Sequence, residues 1–249
     1  DPADRRFYAQ TLACPACGPR LAWHDAAGRP GPLGDAALAQ AIVTLRAGGI
    51  VAVKGVGGIH LLVDARDGPA VARLRARKAR PAKPLAVMFS DLAQLRRSCD
   101  VSMAEAALLQ SALAPIVLLA RRAGDPLCAA LAPGLDRLGA LLPYSPLHHL
   151  LLETLGFPVV ATSANRSGAP LCFENGHALT ALQGIAEGFL LHDRPIVRPV
   201  EDSVAQVFEG ETMMLRLGRG RVPEELRLPR PVMPVLGVGG QWKNGLAVT

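Results

Sequence analysis

Aromatic residues are scarce in this chain of 249, which has two Trp, two Tyr and six Phe. Stacking platforms for single-stranded nucleic acid are built from such side chains, so their shortage argues against a binder of that kind. Long apolar runs are also missing. The stretches 115–120 and 157–161 fall far short of the roughly 20 residues that cross a bilayer, and the Leu-rich stretch 147–155 is interrupted by His148, His149 and Glu153. No membrane segment is expected. The N-terminus, Asp1-Pro-Ala-Asp4-Arg-Arg6, lacks the apolar core of a secretion signal, so a cytoplasmic location is the expectation. Five cysteines, an odd number scattered over this length, make no disulfide framework.

What is present is apolar material for one full core, since half of the residues are hydrophobic. Lys plus Arg outnumber Asp plus Glu by 27 to 21, which favours anionic partners without naming one. Residues 1–32 are rich in Pro, Gly and charge and read as a connector. The main domain is expected over 33–228. The segment 229–249 turns Pro-rich and then reads as a strand with a Gly turn, like the opening of another domain.

Within the main domain, Leu38, Ile42 and Leu45 sit at helical spacing and Gly48-Gly49 ends that helix. Asp67-Gly-Pro69 opens a second helix that must stop before Pro81. Further helical patterns lie at 102–113 and 145–155. Apolar runs at 50–53, 85–89, 116–119, 159–161 and 189–191 read as buried strands, and 204–208 with 212–217 as a hairpin. The layout predicts an α/β fold with a mixed sheet.

The segment Arg73-Leu-Arg-Ala-Arg-Lys-Ala-Arg-Pro-Ala-Lys83 holds six cations in eleven residues and no acid. Helix-end cations that complement the macrodipole account for one or two of them. Pro81 and Pro84 stiffen the exit, so Lys78, Arg80 and Lys83 can be held on one ordered loop and aimed at phosphate oxygens, with Lys78 and Arg80 exposed to a cleft. Ala161-Thr-Ser-Ala-Asn-Arg-Ser-Gly168 follows a strand, where open α/β sheets place ligands, so Ser163 and Asn165 can donate to an anion. Taken alone, an ordinary turn in which both bond their own backbone is the preferred reading. Lys54-Gly-Val-Gly-Gly-Ile-His60 allows close backbone approach to an anion but is neither a Walker A nor a dinucleotide fingerprint, and His60 can be a structural histidine. In Glu201-Asp202-Ser203 a carboxylate can hold Mg²⁺ while Ser203 meets phosphate, or the pair simply forms a turn. Arg216, Arg219 and Arg221 add a second cationic stretch. Cys14-Pro-Ala-Cys17 has the spacing of half a zinc site, with only His24 nearby.

Lys78-x-Arg80 together with Ser163-x-Asn165 resembles the signature of the YrdC-like family, which makes acyl-adenylates from ATP. The runs around Lys54 to His60, Leu142-Pro-Tyr-Ser-Pro-Leu-His-His149 and Glu201-Asp-Ser203 are similar to the version within HypF-type hydrogenase maturation carbamoyltransferases. Ala13-Cys-Pro-Ala-Cys-Gly-Pro19 resembles the linker after that family's zinc modules, and Leu236-Gly-Val-Gly-Gly-Gln-Trp-Lys-Asn244 the start of its carbamoyl-transfer domain, so both ends resemble cuts through a larger enzyme. The resemblance implies a twisted mixed sheet flanked by helices, with a concave basic face that takes ATP, Mg²⁺ and carbamate derived from carbamoyl phosphate. It implies that Lys78, Arg80, Ser163 and Asn165 hold carbamate and the α-phosphate. Lys54, His60, Lys83, Pro143, Ser145, Asp202, Ser203, Arg216 and Arg219 would make the other phosphate or nucleotide contacts. The carbamoyl group would pass to a cysteine of a hydrogenase maturation protein. A threonylcarbamoyl-adenylate synthase for transfer-RNA modification and a non-catalytic RNA-binding module are the alternatives.

Overall fold

The computed structural model describes residues 18–221, 232–238 and 246–248. In chain order the elements are β1 (Leu21–Asp25), β2 (Pro30–Leu33), α1 (Gly34–Arg46), β3 (Val51–Lys54), β4 (Ile59–Asp64), α2 (Gly68–Lys78), β5 (Val87–Met88), α3 (Leu92–Leu95) and α4 (Met103–Gln110). They continue as β6 (Ile116–Ala120), β7 (Arg137–Leu141), α5 (Pro146–Leu155), β8 (Val159–Ser163), α6 (Asn175–Ala181), β9 (Gly188–His192), β10 (Val204–Phe208) and β11 (Glu211–Arg216). A separate antiparallel pair, β12 (Leu236–Val238) with β13 (Leu246–Val248), follows. Cys14 and Cys17 lie outside the described residues.

Strands β1 to β11 form one sheet in the order β11-β10-β6-β7-β5-β8-β4-β3-β9-β1-β2. It is mixed: β3 with β9, β5 with β7 and β6 with β10 run parallel, and the other neighbours run antiparallel. Because successive side chains on a strand face opposite ways, β4 sends Ile59, Leu61 and Val63 into one core and Leu62 into the other. The first core is covered by α2 through Ala70, Val71 and Leu74 and by α6 through Ala178. The second is covered by α1 through Ala37, Ala41 and Leu45 and by α5 through Leu151 and Leu152. Helices therefore flank both faces. Among the described residues no helix is long and apolar enough to cross a membrane.

The helix signals act as read. Asp67 caps α2 by accepting from the Ala70 amide at 3.0 Å, and α2 ends at Ala79, whose φ of 52° is left-handed and turns the chain before Pro81. The structure differs from these expectations in three places. The strand expected at 85–89 is only two residues long: the Leu85 amide turns to the Leu131 carbonyl outside the sheet, while the Phe89 amide still donates to Leu141 at the end of β7. Strands β4 and β7 lay in stretches not assigned from the sequence. The third difference concerns the connector, since residues 21–33 belong to the sheet: β1 pairs with β9 over its whole length and β2 closes the edge. Pro30 and Pro32 are tolerated there because an edge strand has backbone groups that need no ladder partner.

Trp23 anchors this extension at 6% exposure, its ring lying over Gly188 so closely that an added Cβ would stand 2.1 Å from two ring carbons. Gly188→Ala is therefore expected to cost about 1–3 kcal/mol by overpacking, measured as a lower urea midpoint with unchanged slope. An unchanged midpoint would mean that β1 is not seated as described.

Candidate functional site

The end of β8 and the start of β4 lie side by side, with His60 opposite Ser163, and α2 delivers its last turn to the same place. Lys78 is the residue that joins them. Its side chain is 1% exposed, and its ammonium donates to the carbonyls of Ser163 and Asn165 and to Asn165 Oδ1 at 2.7 Å. The Ser163 hydroxyl donates to the same Oδ1 at 2.8 Å, and the Ser167 amide returns a bond to the Lys78 carbonyl at 3.1 Å. The expectation of an exposed Lys78 is thus corrected: the aliphatic stem runs inward and the charge is used to hold the loop after β8. Arg80 is half-buried, with its guanidinium 3.3 Å from Thr162 Oγ1 and also donating to the Lys83 and Pro84 carbonyls.

Beside these groups opens a cavity of about 270 Å³. Its polar wall includes His60, Arg80, Lys83, Thr162, Ser163, Glu201, Asp202 and Arg216, and its floor is the sheet surface at Ala86, Ile116, Leu118, Gly139 and Val204. A Cβ at Gly139 would come within 3.0 Å of Ile116 and 3.7 Å of Ala86, so glycine keeps the floor flat. Arg216 donates to Glu201 at 2.8 Å across the rim. Burial lowers the Arg80 pKa, and repulsion from Arg75 and Arg216 adds to the effect, so an anion between Arg80 and Arg216 would be stabilised.

Behind the wall lies a buried network. Asp202 sits 3.2 Å from His60 Nε2 and 2.9 Å from Arg219 Nε. The Arg219 guanidinium lies 3.5 Å over the Tyr144 ring, and the Tyr144 hydroxyl is 3.4 Å from His60 Nδ1. Burial alone would raise Asp202, but the hydrogen bond and charge of His60, then Arg219, hold its carboxyl well below the usual range. Both ends of the His60 ring are engaged, so it is positioned as part of the wall.

Of the residues singled out in the sequence, the cavity brings together Arg80, Ser163, His60, Lys83, Asp202 and Arg216. Glu201, Thr162 and the Gly57-Gly58 turn from the same motifs also line it, whereas Lys54, Lys78, Pro143, Ser145, Asn165, Ser203 and Arg219 do not. Lys54 is 3% exposed and donates to the His192 carbonyl at 3.0 Å. Pro143 is buried, and Ser145 caps α5 by accepting from the His148 amide. Ser203 is fully buried and bonds Gly218 and Arg219 backbone atoms, which corrects its placement as a phosphate contact. Asn165 and Arg219 hold their neighbours in place. Two of the six cations of 73–83 find an acid: Glu187 pairs with Arg77 at 2.9 Å and Arg73 at 3.6 Å. Tyr144 and the Gly139 floor were not singled out as site residues, although a glycine inside a strand is a signal of close approach.

At the β8 end of this mixed α/β sheet the cavity wall carries the cations Arg80, Lys83 and Arg216. Residues 43–218 match the family model of Sua5, YciO and YrdC proteins, described as "Telomere recombination", and the chain belongs to that family. Residues 1–24 match a model described as "HypF finger". The chain is similar to the carbamoyltransferase HypF of Synechocystis, 50% identical over 85% of this chain and 28% of that protein. It is also similar to that of Rhodobacter capsulatus, 49% identical over 100% of this chain and 33% of that protein. A crystal structure of full-length HypF in its phosphate- and nucleotide-bound form is 43% identical with a TM-score of 0.90, covering 100% of this chain and 32% of that one. The chain thus spans a third or less of the length of these relatives.

His148, buried against His60 and Tyr144, generates a pH prediction. Burial, then the charge of His60, pushes its pKa down to about 3 from 6.5. Between those values the unfolded chain binds one more proton than the folded one, so stability falls as pH is lowered, by up to about 1.4 kcal/mol per pH unit. His192, lowered by burial and then Lys54, adds to the slope, whereas the Asp202 contribution is lost only below its ordinary value of 3.8. Urea unfolding between about pH 6 and 4.5 should therefore show a shallower pH slope in His148→Gln. The same slope as the wild type would contradict a neutral, buried His148.

Proposed function

We propose that this domain binds ATP in the cleft and couples its α-phosphate to carbamate. A carbamate oxygen attacks the α-phosphorus, the bond to the β-phosphate oxygen breaks, and carbamoyl-adenylate and pyrophosphate result. The observation that carries this reading is the pairing of two guanidinium groups, Arg80 and Arg216, with Ser163 above a flat apolar floor. The cations suit phosphates, and the floor suits a planar base. The similarity to carbamoyltransferases named HypF supports carbamate as the acyl group. Catalysis here is positioning and charge neutralisation, with no covalent nucleophile. Arg80, Lys83 and Arg216 offset phosphate charge, Ser163 and Thr162 offer hydroxyls, and Lys78 with Asn165 hold Ser163 in place.

Mg²⁺ fits this site only as a companion of the triphosphate. Asp202 is committed to His60 and Arg219, and among the described residues no three His, Cys, Asp or Glu side chains gather to hold a metal. Glu201 is the rim carboxylate that can contribute one oxygen beside the phosphates, as Mg²⁺ commonly uses. Bound there, Mg²⁺ would supply further charge neutralisation.

For the organisation of the chain, we read residues 33–228 with β1 and β2 as the adenylating domain. The stretch before them is the end of a zinc-finger region, and 229–249 leads into a transfer domain. The product would then pass to a cysteine of an acceptor protein in nickel–iron hydrogenase maturation.

The test is mass-spectrometric detection of carbamoyl-adenylate after mixing the chain with ATP, Mg²⁺ and carbamate, beside a parallel arm with threonine and bicarbonate. Product in the carbamate arm is expected; product only with threonine would replace this reading with threonylcarbamoyl-adenylate synthesis. Arg80→Ala should lower the rate about a hundredfold or more. Gly139→Val, which raises the floor, should weaken ATP binding by at least about tenfold at unchanged fold.

A further inference from the structure

Arg75 is 7% exposed and lies one turn before the end of α2, with its guanidinium directed at backbone oxygens. Nε donates to the Ala130 carbonyl at 2.7 Å and Nη2 to Leu131 at 3.1 Å, on a short 3₁₀ turn (Ala129–Leu131). Nη1 donates to the carbonyls of Arg80 at 2.9 Å, Pro81 at 3.2 Å and Lys83 at 3.1 Å. Five backbone oxygens from two segments thus converge on one planar fork.

Residues 80–84 are the segment that brings Arg80 and Lys83 to the cavity. Pro81 and Pro84 have no N–H to donate, and residues 81–84 are exposed, so the segment cannot set its own shape through a regular ladder. The Lys83 carbonyl is decisive because it accepts from Arg75 Nη1 at 3.1 Å and from Arg80 Nε at 3.3 Å. One oxygen therefore registers the orientation of Arg80 to Arg75. Lysine cannot replace this arrangement, since a single ammonium cannot span carbonyls on both segments.

We propose that Arg75 is a positioning residue, holding the 80–84 loop in the shape that points Arg80 and Lys83 at the phosphates of the nucleotide. This role rests on the nucleotide reading of the cleft. Arg75 does not line the cavity, so its effect on the ligand is exerted through Arg80 and Lys83.

The test is a double-mutant cycle on ATP affinity, measured by calorimetric titration of the chain and of Arg75→Lys, Arg80→Ala and the double variant. Hydrogen exchange of the 82–86 amides is followed in parallel. Arg75→Lys should weaken ATP by roughly tenfold to a hundredfold, as expected for a displaced contact, and should lose protection in that loop while β4 and β8 stay protected. In the Arg80→Ala background the same change should cost several-fold less than in the wild type, since only the part transmitted through Lys83 remains. Fully additive effects, or unchanged exchange in Arg75→Lys, would overturn the proposal. If Arg75→Lys does not fold, Arg75→Gln is measured in the same way, and global unfolding of both would also overturn it by showing that the guanidinium supports the whole fold. Lack of ATP binding by the wild type would instead overturn the nucleotide reading, and the exchange arm still decides whether Arg75 shapes the loop.

Discussion

The buried ammonium of Lys78 is the constraint on which the site depends. Taking such a charge out of water costs several kcal/mol unless oxygen ligands replace the solvent. Here three oxygens of Ser163 and Asn165 do so. The end of α2 is thereby fixed to the end of β8, two places 85 residues apart in the chain. Ser163 faces the cavity because its neighbours are held from below, and Arg80 faces it because it leaves the same helix two residues later.

The cationic segment 73–83 then divides by depth. Arg73 and Arg77 turn to Glu187, whose other oxygen accepts from the Ile50 amide at the start of β3. Arg75 and Lys78 point inward to carbonyls, and Arg80 and Lys83 remain for the cleft. One run of charge thus divides among packing, loop contacts and the cavity wall. The acid that answers it is 110 residues from Arg77, which is why charge counting along the sequence found none.

Much of the fold was legible where local rules suffice. The Asp67 cap, the stop before Pro81, the two central helices and the β10–β11 hairpin stand where periodicity and turn residues put them. Strand β7 was not legible, since Arg137-Leu-Gly-Ala-Leu141 has poor strand formers and is extended only because β5 and β6 flank it. Strand β1 was hidden for a similar reason: its pairing with β9 is set by a Trp23–Gly188 contact 165 positions apart in numbering, which no local pattern encodes. At the site, residue types at strand and helix ends pointed to Arg80, Ser163 and Arg216, which line the cavity. They did not tell which polar groups face the cavity and which face backbone, as Lys54, Ser145 and Ser203 demonstrate. That distinction depends on depth, a property of packing.

The central claim is that the cleft beside Ser163, Arg80 and Arg216 is where the nucleotide sits. Amide hydrogen exchange of the chain with and without ATP and Mg²⁺ tests it most directly. The account predicts added protection at 57–60, 82–86, 162–165 and 201–204, with the α1 and α5 face unchanged. Protection confined to other segments, or none at saturating ATP, would contradict it.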